Sequence, residues 1–171
     1  MRTGERIQDF PATLEDGREV RFFDLLAEGP VVLFFYPKAF TPGCTAEACH
    51  FRDLAAEFAA AGAQRIGVSR DAAGAQSSFR EEHHLDFPLI ADQDGSIARR
   101  FGAKRPGILW SKRQTFVIDT DGTVGRIISS ERNMQVHADE ALEALADLRR
   151  QPVADLRIEV SLDEEVSADR D

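Results

Sequence analysis

Short runs of β-branched and aromatic residues alternate with stretches of helical periodicity along this chain, an order that builds an α/β layer structure. The runs predict strands at 19–22, 31–36, 65–69, 88–91, 115–119 and 124–129. The second, VVLFFY, holds no charged position, so it is expected to be a central strand buried on both faces. Helices are expected at 43–61, 73–83, 96–101 and 138–150. The last carries Asp139 and Glu140 at its start, Leu142, Leu145 and Leu148 along one face, and Arg149 and Arg150 at its end, with Pro152 to stop it. TFVIDTDGTVGRII reads as a hairpin whose Asp121-Gly122 pair supplies the positive φ angles of a tight turn.

The periodicity changes after Arg150. Residues 151–171 carry seven acidic side chains against Arg157 and Arg170, about half of the net charge of −9. Within them LRIEVSL alternates strictly, placing Leu156, Ile158, Val160 and Leu162 on one side. Two readings follow: a frayed, solvated end, or an edge strand added to this domain or to a second subunit. The expected organisation is thus one domain over 1–150 and an acidic tail over 151–171.

Composition narrows the function classes. A chain of 171 residues with 43% apolar content fits one domain with its own core. The longest apolar run, Val31 to Tyr36, is far too short to cross a bilayer, and MRTGERIQDF lacks the apolar segment of a signal peptide, which points to the cytoplasm. The negative charge, with no long basic run, argues against nucleic acid and against an anionic membrane surface as partners.

The only cysteines, Cys44 and Cys49, stand five positions apart after a Thr-Pro-Gly turn. Thr41 reads as an N-cap and Pro42 as the first helical residue, which places Cys44 in the first turn of a helix. There the unpaired backbone N–H groups and the positive end of the helix dipole favour an anion, so position alone predicts a reactive thiolate. At 100° per residue Ala48, Phe51, Ala55 and Phe58 share a stripe with Cys44, while Cys49 lies roughly 140° round, beside Thr45, Arg52 and Asp53. An intact helix holds the two Cα atoms about 8 to 9 Å apart, beyond disulfide reach, so bonding them requires unwinding. Other uses of the pair fit the sequence less well. Cys44, Cys49 and His50 are too few for zinc. A Cys-His hydrolase would need an imidazole beside the nucleophile, whereas His83, His84 and His137 read as solvated surface histidines. A thioredoxin-type site would show C-x-x-C, and here four residues intervene.

YPKAFTPGCTAEACHFRD resembles the active-site segment of peroxiredoxins, P-x-x-x-T-x-x-C, and in TPGCT-x-E-A-C that of the peroxiredoxin Q or bacterioferritin comigratory protein subfamily. The resemblance runs from about Asp9 to about Leu148, through GREVRFFDLL, FPLIAD and RQTFVID. It implies a thioredoxin-like fold with peroxiredoxin insertions, a central mixed β-sheet flanked by helices. It also implies thiol-dependent reduction of hydrogen peroxide and organic hydroperoxides without metal, haem or flavin.

By the same resemblance, Cys44 corresponds to the peroxidatic cysteine, Cys49 to the resolving one, Thr41 and Pro37 to the other motif positions, and Arg113 to the arginine before the TFVID strand. The Thr41 hydroxyl, the Cys44 N–H and the Arg113 guanidinium are the donors expected to face the sulfur and the departing oxygen. Pro37 is expected to shield the sulfur. Glu47 matches the pattern's glutamate at a position also suited to the helix dipole, and its role is open. Arg105, Pro106 and Trp110 are expected to border the pocket, and Gln114 stands where a thioredoxin has proline. The implied cycle condenses the Cys44 sulfenic acid with Cys49 and returns the disulfide to thiols through thioredoxin or a similar dithiol protein, with the enzyme a monomer or weak homodimer. Two readings stand beside it: a protein disulfide oxidoreductase, and a non-catalytic thiol redox sensor.

Overall fold

The computed structural model describes residues 1–107 and 110–151. Its elements in chain order are β1 (Pro11–Thr13), β2 (Glu19–Arg21), α1 (Phe22–Leu26), β3 (Val31–Phe35), α2 (Pro42–Asp53), α3 (Ala55–Ala60), β4 (Gln64–Ser69), α4 (Ala73–Glu82), β5 (Leu89–Ala91), α5 (Ser96–Phe101), β6 (Gln114–Ile118), β7 (Val124–Ser129) and α6 (Gln135–Arg150). β1 and β2 form an antiparallel hairpin, and the other five strands form one sheet in the order β5-β4-β3-β6-β7. β3 pairs parallel with β4 and antiparallel with β6, so the sheet is mixed and flanked by helices, as the resemblance implied. Every residue of β3 is buried.

Alternation along the strands divides the interior in two. Val31, Leu33 and Phe35 of β3 face a core shared with Phe22 of α1, Phe101 of α5 and Phe10. Val32 and Phe34 face the other way, to Phe51 of α2, Phe58 of α3, Phe79 of α4 and Ala141 of α6. Two buried faces require a strand with no polar position, which is what VVLFF provides.

Several expectations are corrected. The helix expected over 43–61 is interrupted at Leu54, whose φ of −94° and ψ of 21° separate α2 from α3. The Phe51 carbonyl accepts from Arg65 Nη1 at 2.7 Å, a side-chain bond in place of continued helical pairing. α6 begins at Gln135 rather than 138, so Asp139 and Glu140 fall beyond its first turn, which holds no acid. In the hairpin between β6 and β7 only Gly122, at φ 87°, is left-handed, and Asp121 is not. The Gly122 N–H bonds back to the Asp119 carbonyl and Asp119 N–H to Thr123 O, a turn that needs one positive φ where two were expected. β1 and α1 were not anticipated, because three and five residues are too short to show a period. Residue 22, expected to end a strand, opens α1. The LRIEVSL alternation and Pro152 lie outside the described residues.

Candidate active site

β3 ends at Phe35, and the chain passes through Tyr36 and Pro37 into the loop that feeds α2. Because β6 runs antiparallel to β3 with Gln114 opposite Phe35, the residue before β6, Arg113, arrives at the same edge of the sheet. Phe40, in that loop, adopts φ 65°, a conformation costly for a bulky residue, and its ring is 47% exposed against Phe79 at 5.3 Å. α2 then starts as expected, with extended Thr41 as N-cap and Pro42 in the first turn. The Thr41 hydroxyl makes no cap bond; it donates to Lys38 O at 2.7 Å. Its one proton is therefore committed to that carbonyl, not aimed at the sulfur.

Cys44 is 1% exposed in the first turn of α2. Arg113 Nη2 donates to its Sγ at 3.4 Å, and Nη1 of the same guanidinium donates to Glu47 Oε2. Glycine at 43 permits this approach: a Cβ there would stand 3.2 Å from Met134 Cε and 3.3 Å from Arg113 Nη2. Arg113 is thus singled out from Arg99, Arg100, Arg105 and Arg126, of which Arg105 pairs with Glu131, and Arg126 with Asp147. Burial works against the Arg113 cation, but the charges of Glu47 and Cys44 outweigh it and its pKa is raised.

Glu47 lies one turn beyond Cys44 on the same face, 0% exposed, and not in the first turn where a dipole contact was expected. Burial pushes its carboxyl up to about 8, against the Arg113 charge and hydrogen bond that pull it down. Its second oxygen, Oε1, has no hydrogen-bond partner. That oxygen faces Nδ1 of His137 at 3.9 Å. His137 is also 0% exposed, which overturns its reading as a solvated surface histidine. Its Nε2 lies 2.8 Å from Ser130 O and its Nδ1 2.8 Å from Thr115 Oγ1. A carbonyl only accepts, so Nε2 carries the proton and Nδ1 accepts from the threonine hydroxyl. Burial holds the His137 pKa below its usual value, so the ring is neutral.

Sequence reasoning missed this histidine because it started α6 one turn late. With Gln135 as the first residue, His137 falls on the buried stripe with Ala141, Ala144 and Leu145, a helical spacing that could have revealed it.

Cys49 is half-buried, and both cysteines are free thiols within one unbroken helix. Beyond it, His50 Nε2 meets Asp139 of α6 at 2.8 Å, and Arg52 Nη1 donates to His83 O at 2.6 Å. Pro37 lines an open cleft of about 280 Å³ with Lys38, Arg70, Asp71, Gln93 and the 51% exposed Trp110. Cys44, Arg105 and Pro106 are not among those residues. Among the described residues no group of three or more His, Cys, Asp or Glu side chains could hold a metal. No helix among them is long and apolar enough to cross a membrane.

The family model described as AhpC/TSA matches residues 3–127. The crystal structure of peroxidoxin BcpB from Mycobacterium tuberculosis superposes with a TM-score of 0.83 at 51% identity, over 87% of this chain and 99% of that one. Peroxiredoxin Bcp of Bacillus subtilis (strain 168) is 37% identical over 156 residues, 85% of this chain and 95% of that protein. The bacterioferritin comigratory protein of Xanthomonas campestris, solved in trapped intermediate and ligand complexes bearing on its alkyl peroxide reduction, aligns at 32% identity with a TM-score of 0.73, over 81% of this chain and 91% of that one.

Proposed function

This chain belongs to the AhpC/TSA family and is a peroxiredoxin acting on peroxides, and on that premise we propose that Cys44 is its peroxidatic sulfur and Cys49 its resolving one. The observation that carries the reading is the Arg113 guanidinium donating to a sulfur in the first turn of α2, away from water. A fixed cation and the positive end of a helix both stabilise negative charge on that sulfur and on oxygen leaving beside it.

In the first step the Cys44 thiolate attacks the distal peroxide oxygen. The S–O bond forms, the O–O bond breaks, and the alkoxide or hydroxide takes up a proton. The sulfenic acid next condenses with the Cys49 thiol, releasing water and leaving a disulfide. An external dithiol protein of the thioredoxin type then supplies the two electrons that restore both thiols. The middle step requires the first turns of α2 to unwind, since an intact helix keeps the Cα atoms about 8 to 9 Å apart. Pro37 limits approach to the sulfur from the cleft side. Thr41 contributes through its backbone, whose carbonyl accepts the first bond of α2 from Thr45 at 2.9 Å. Organic hydroperoxides are included as substrates because of the alkyl peroxide activity named for the Xanthomonas relative. The cytoplasm, a reducing compartment, suits a cycle that ends in two free thiols.

Stopped-flow mixing with hydrogen peroxide, followed by mass spectrometry, tests the cycle. Cys44→Ser is expected to abolish peroxide consumption. Cys49→Ser is expected to allow one turnover to sulfenic acid and then to stop, with no recycling by thioredoxin. Full turnover without Cys49 would sink the intramolecular route.

A further inference from the structure

Two acids meet one cation in this site. The Arg113 guanidinium places Nη1 on Glu47 Oε2 and Nη2 on Cys44 Sγ, and both acids are sealed from water. Among the described residues, four charged or titratable groups surround Glu47. Cys44 lies on its own helix, Arg113 comes from the residue before β6, and neutral His137 comes from α6. Glu131, from the segment between β7 and α6, adds a negative charge that disfavours ionising Glu47; it accepts the Arg113 backbone N–H at 3.2 Å and pairs with Arg105. One full positive charge therefore stands against two buried groups that could each become negative. Ionising both would leave a net negative charge where water cannot compensate it.

The unpartnered Glu47 Oε1 is the second observation. A buried carboxylate oxygen with no donor is costly, whereas a protonated carboxyl carries no charge and keeps its other oxygen on the guanidinium. His137 Nδ1, the group that this oxygen faces at 3.9 Å, carries no proton and has its lone pair on the Thr115 hydroxyl, so it offers an ionised Oε1 no donor.

We propose that Cys44 and Glu47 share a single proton across Arg113: the carboxyl holds on Oε1 the proton that the sulfur gives up, and releases it when the sulfur loses its charge. In the resting site the S–H bond is broken and an O–H bond on Glu47 is made, with Arg113 balanced by the thiolate. Once sulfenic acid forms, Arg113 has no anionic sulfur to balance, and Glu47 ionises against it. The proton so released equals the one taken up by the departing alkoxide or hydroxide. Thiolate plus hydroperoxide thus becomes sulfenic acid plus alcohol or water with no net demand on the solvent. Glu47 acts through Arg113 and is a positioning residue, not a group that touches the peroxide.

The inference rests on the proposed peroxidatic role of Cys44, and its test separates the two. Cys49→Ser protein, which halts at sulfenic acid, is oxidised with hydrogen peroxide near neutral pH in weak buffer. An indicator dye counts protons and mass spectrometry counts sulfenic acid. With Glu47 present, close to no proton is taken from solution per sulfenic acid; in Cys49→Ser with Glu47→Gln the uptake rises to about one. Equal uptake in the two proteins overturns the proposal. If sulfenic acid never forms on Cys44, the peroxidatic reading itself fails. Should the double variant not fold, infrared difference spectra of Cys49→Ser decide alone. A carboxylic-acid carbonyl band that disappears on oxidation supports the shared proton, and an unchanged spectrum in that region overturns it.

Discussion

On the face of the sheet turned to α1, α5 and the β1–β2 hairpin, the core from Ile7 to Val124 is apolar throughout, and the buried carboxylates nearby end on main-chain N–H groups and, for one oxygen of Glu15, on an arginine. Asp92 accepts from the N–H groups of Ile97 and Ala98, and Glu15 from Leu89, with Arg80 beside it. On the face turned to α2, α4 and α6, buried polar side chains meet one another. Glu47, Arg113, Thr115 and His137 form one set, and Tyr36, Ser69 and Gln76 a second. The difference separates two tasks. A carboxylate ended on backbone amides is held by groups that keep their protons, so it only stabilises. Side chains that end on one another can exchange protons and positions, and this face also bears the orphaned Glu47 Oε1 and Arg113 Nε.

Substitutions that touch one face should leave the other task intact. The largest effect is expected from Phe116→Ala, whose ring packs on Phe35 and Phe101 in the apolar core. It should cost about 3 to 5 kcal/mol in urea unfolding while the peroxide rate constant of the folded fraction stays unchanged. A parallel loss of rate would break the comparison. Arg113→Met, on the polar face, should lower the rate constant measured by stopped flow by about 100- to 1,000-fold, the range for deleting one oxyanion donor.

A smaller effect comes from pH, with opposite signs for two groups. Glu47 is raised from 4.5 to about 8, so its contribution to stability is complete below pH 4.5 and is lost as pH rises through about 8. His137 is lowered from 6.5, so the unfolded chain protonates first and stability is lost as pH falls below 6.5. Glu47→Gln should abolish the alkaline loss and keep the acid one, which urea midpoints across the pH range will show. The smallest effect is expected from Asp139→Asn, which removes an exposed pair with His50. Unfolding should change by less than about 1 kcal/mol, while disulfide formation after oxidation, timed by mass spectrometry, quickens because α2 is less firmly tied to α6.

Much of this was legible in the residues themselves. The uniform apolar run of β3 announced its central place, and the Thr-Pro-Gly-Cys order announced where α2 starts and which side of it is buried. Arg113 was reached through the family pattern and not through its surroundings in sequence, since its partners lie 66 and 69 residues away. The same distance hid the burial of Glu47, whose local neighbours suggested only a favourable dipole. His137 was hidden by a different cause: charged Asp139 and Glu140 look like a helix start, and they displaced the expected boundary by one turn. The Thr41 hydroxyl followed neither the capping rule nor the expected donor role, because the Lys38 carbonyl competes for it at short range.

The break at Leu54 bears on how far a cycle built on unwinding can spread. Arg65, anchored by Asp86 and lying 5.0 Å over the Phe87 ring, holds the Phe51 carbonyl in the last turn of α2 from the body of the sheet. Fraying that begins at Pro42 meets a clamp there, and α3 stands beyond it as a separate piece. On the proposed cycle, each opening would then be confined to the turns of α2 before Phe51, whose ring stays stacked on Phe34.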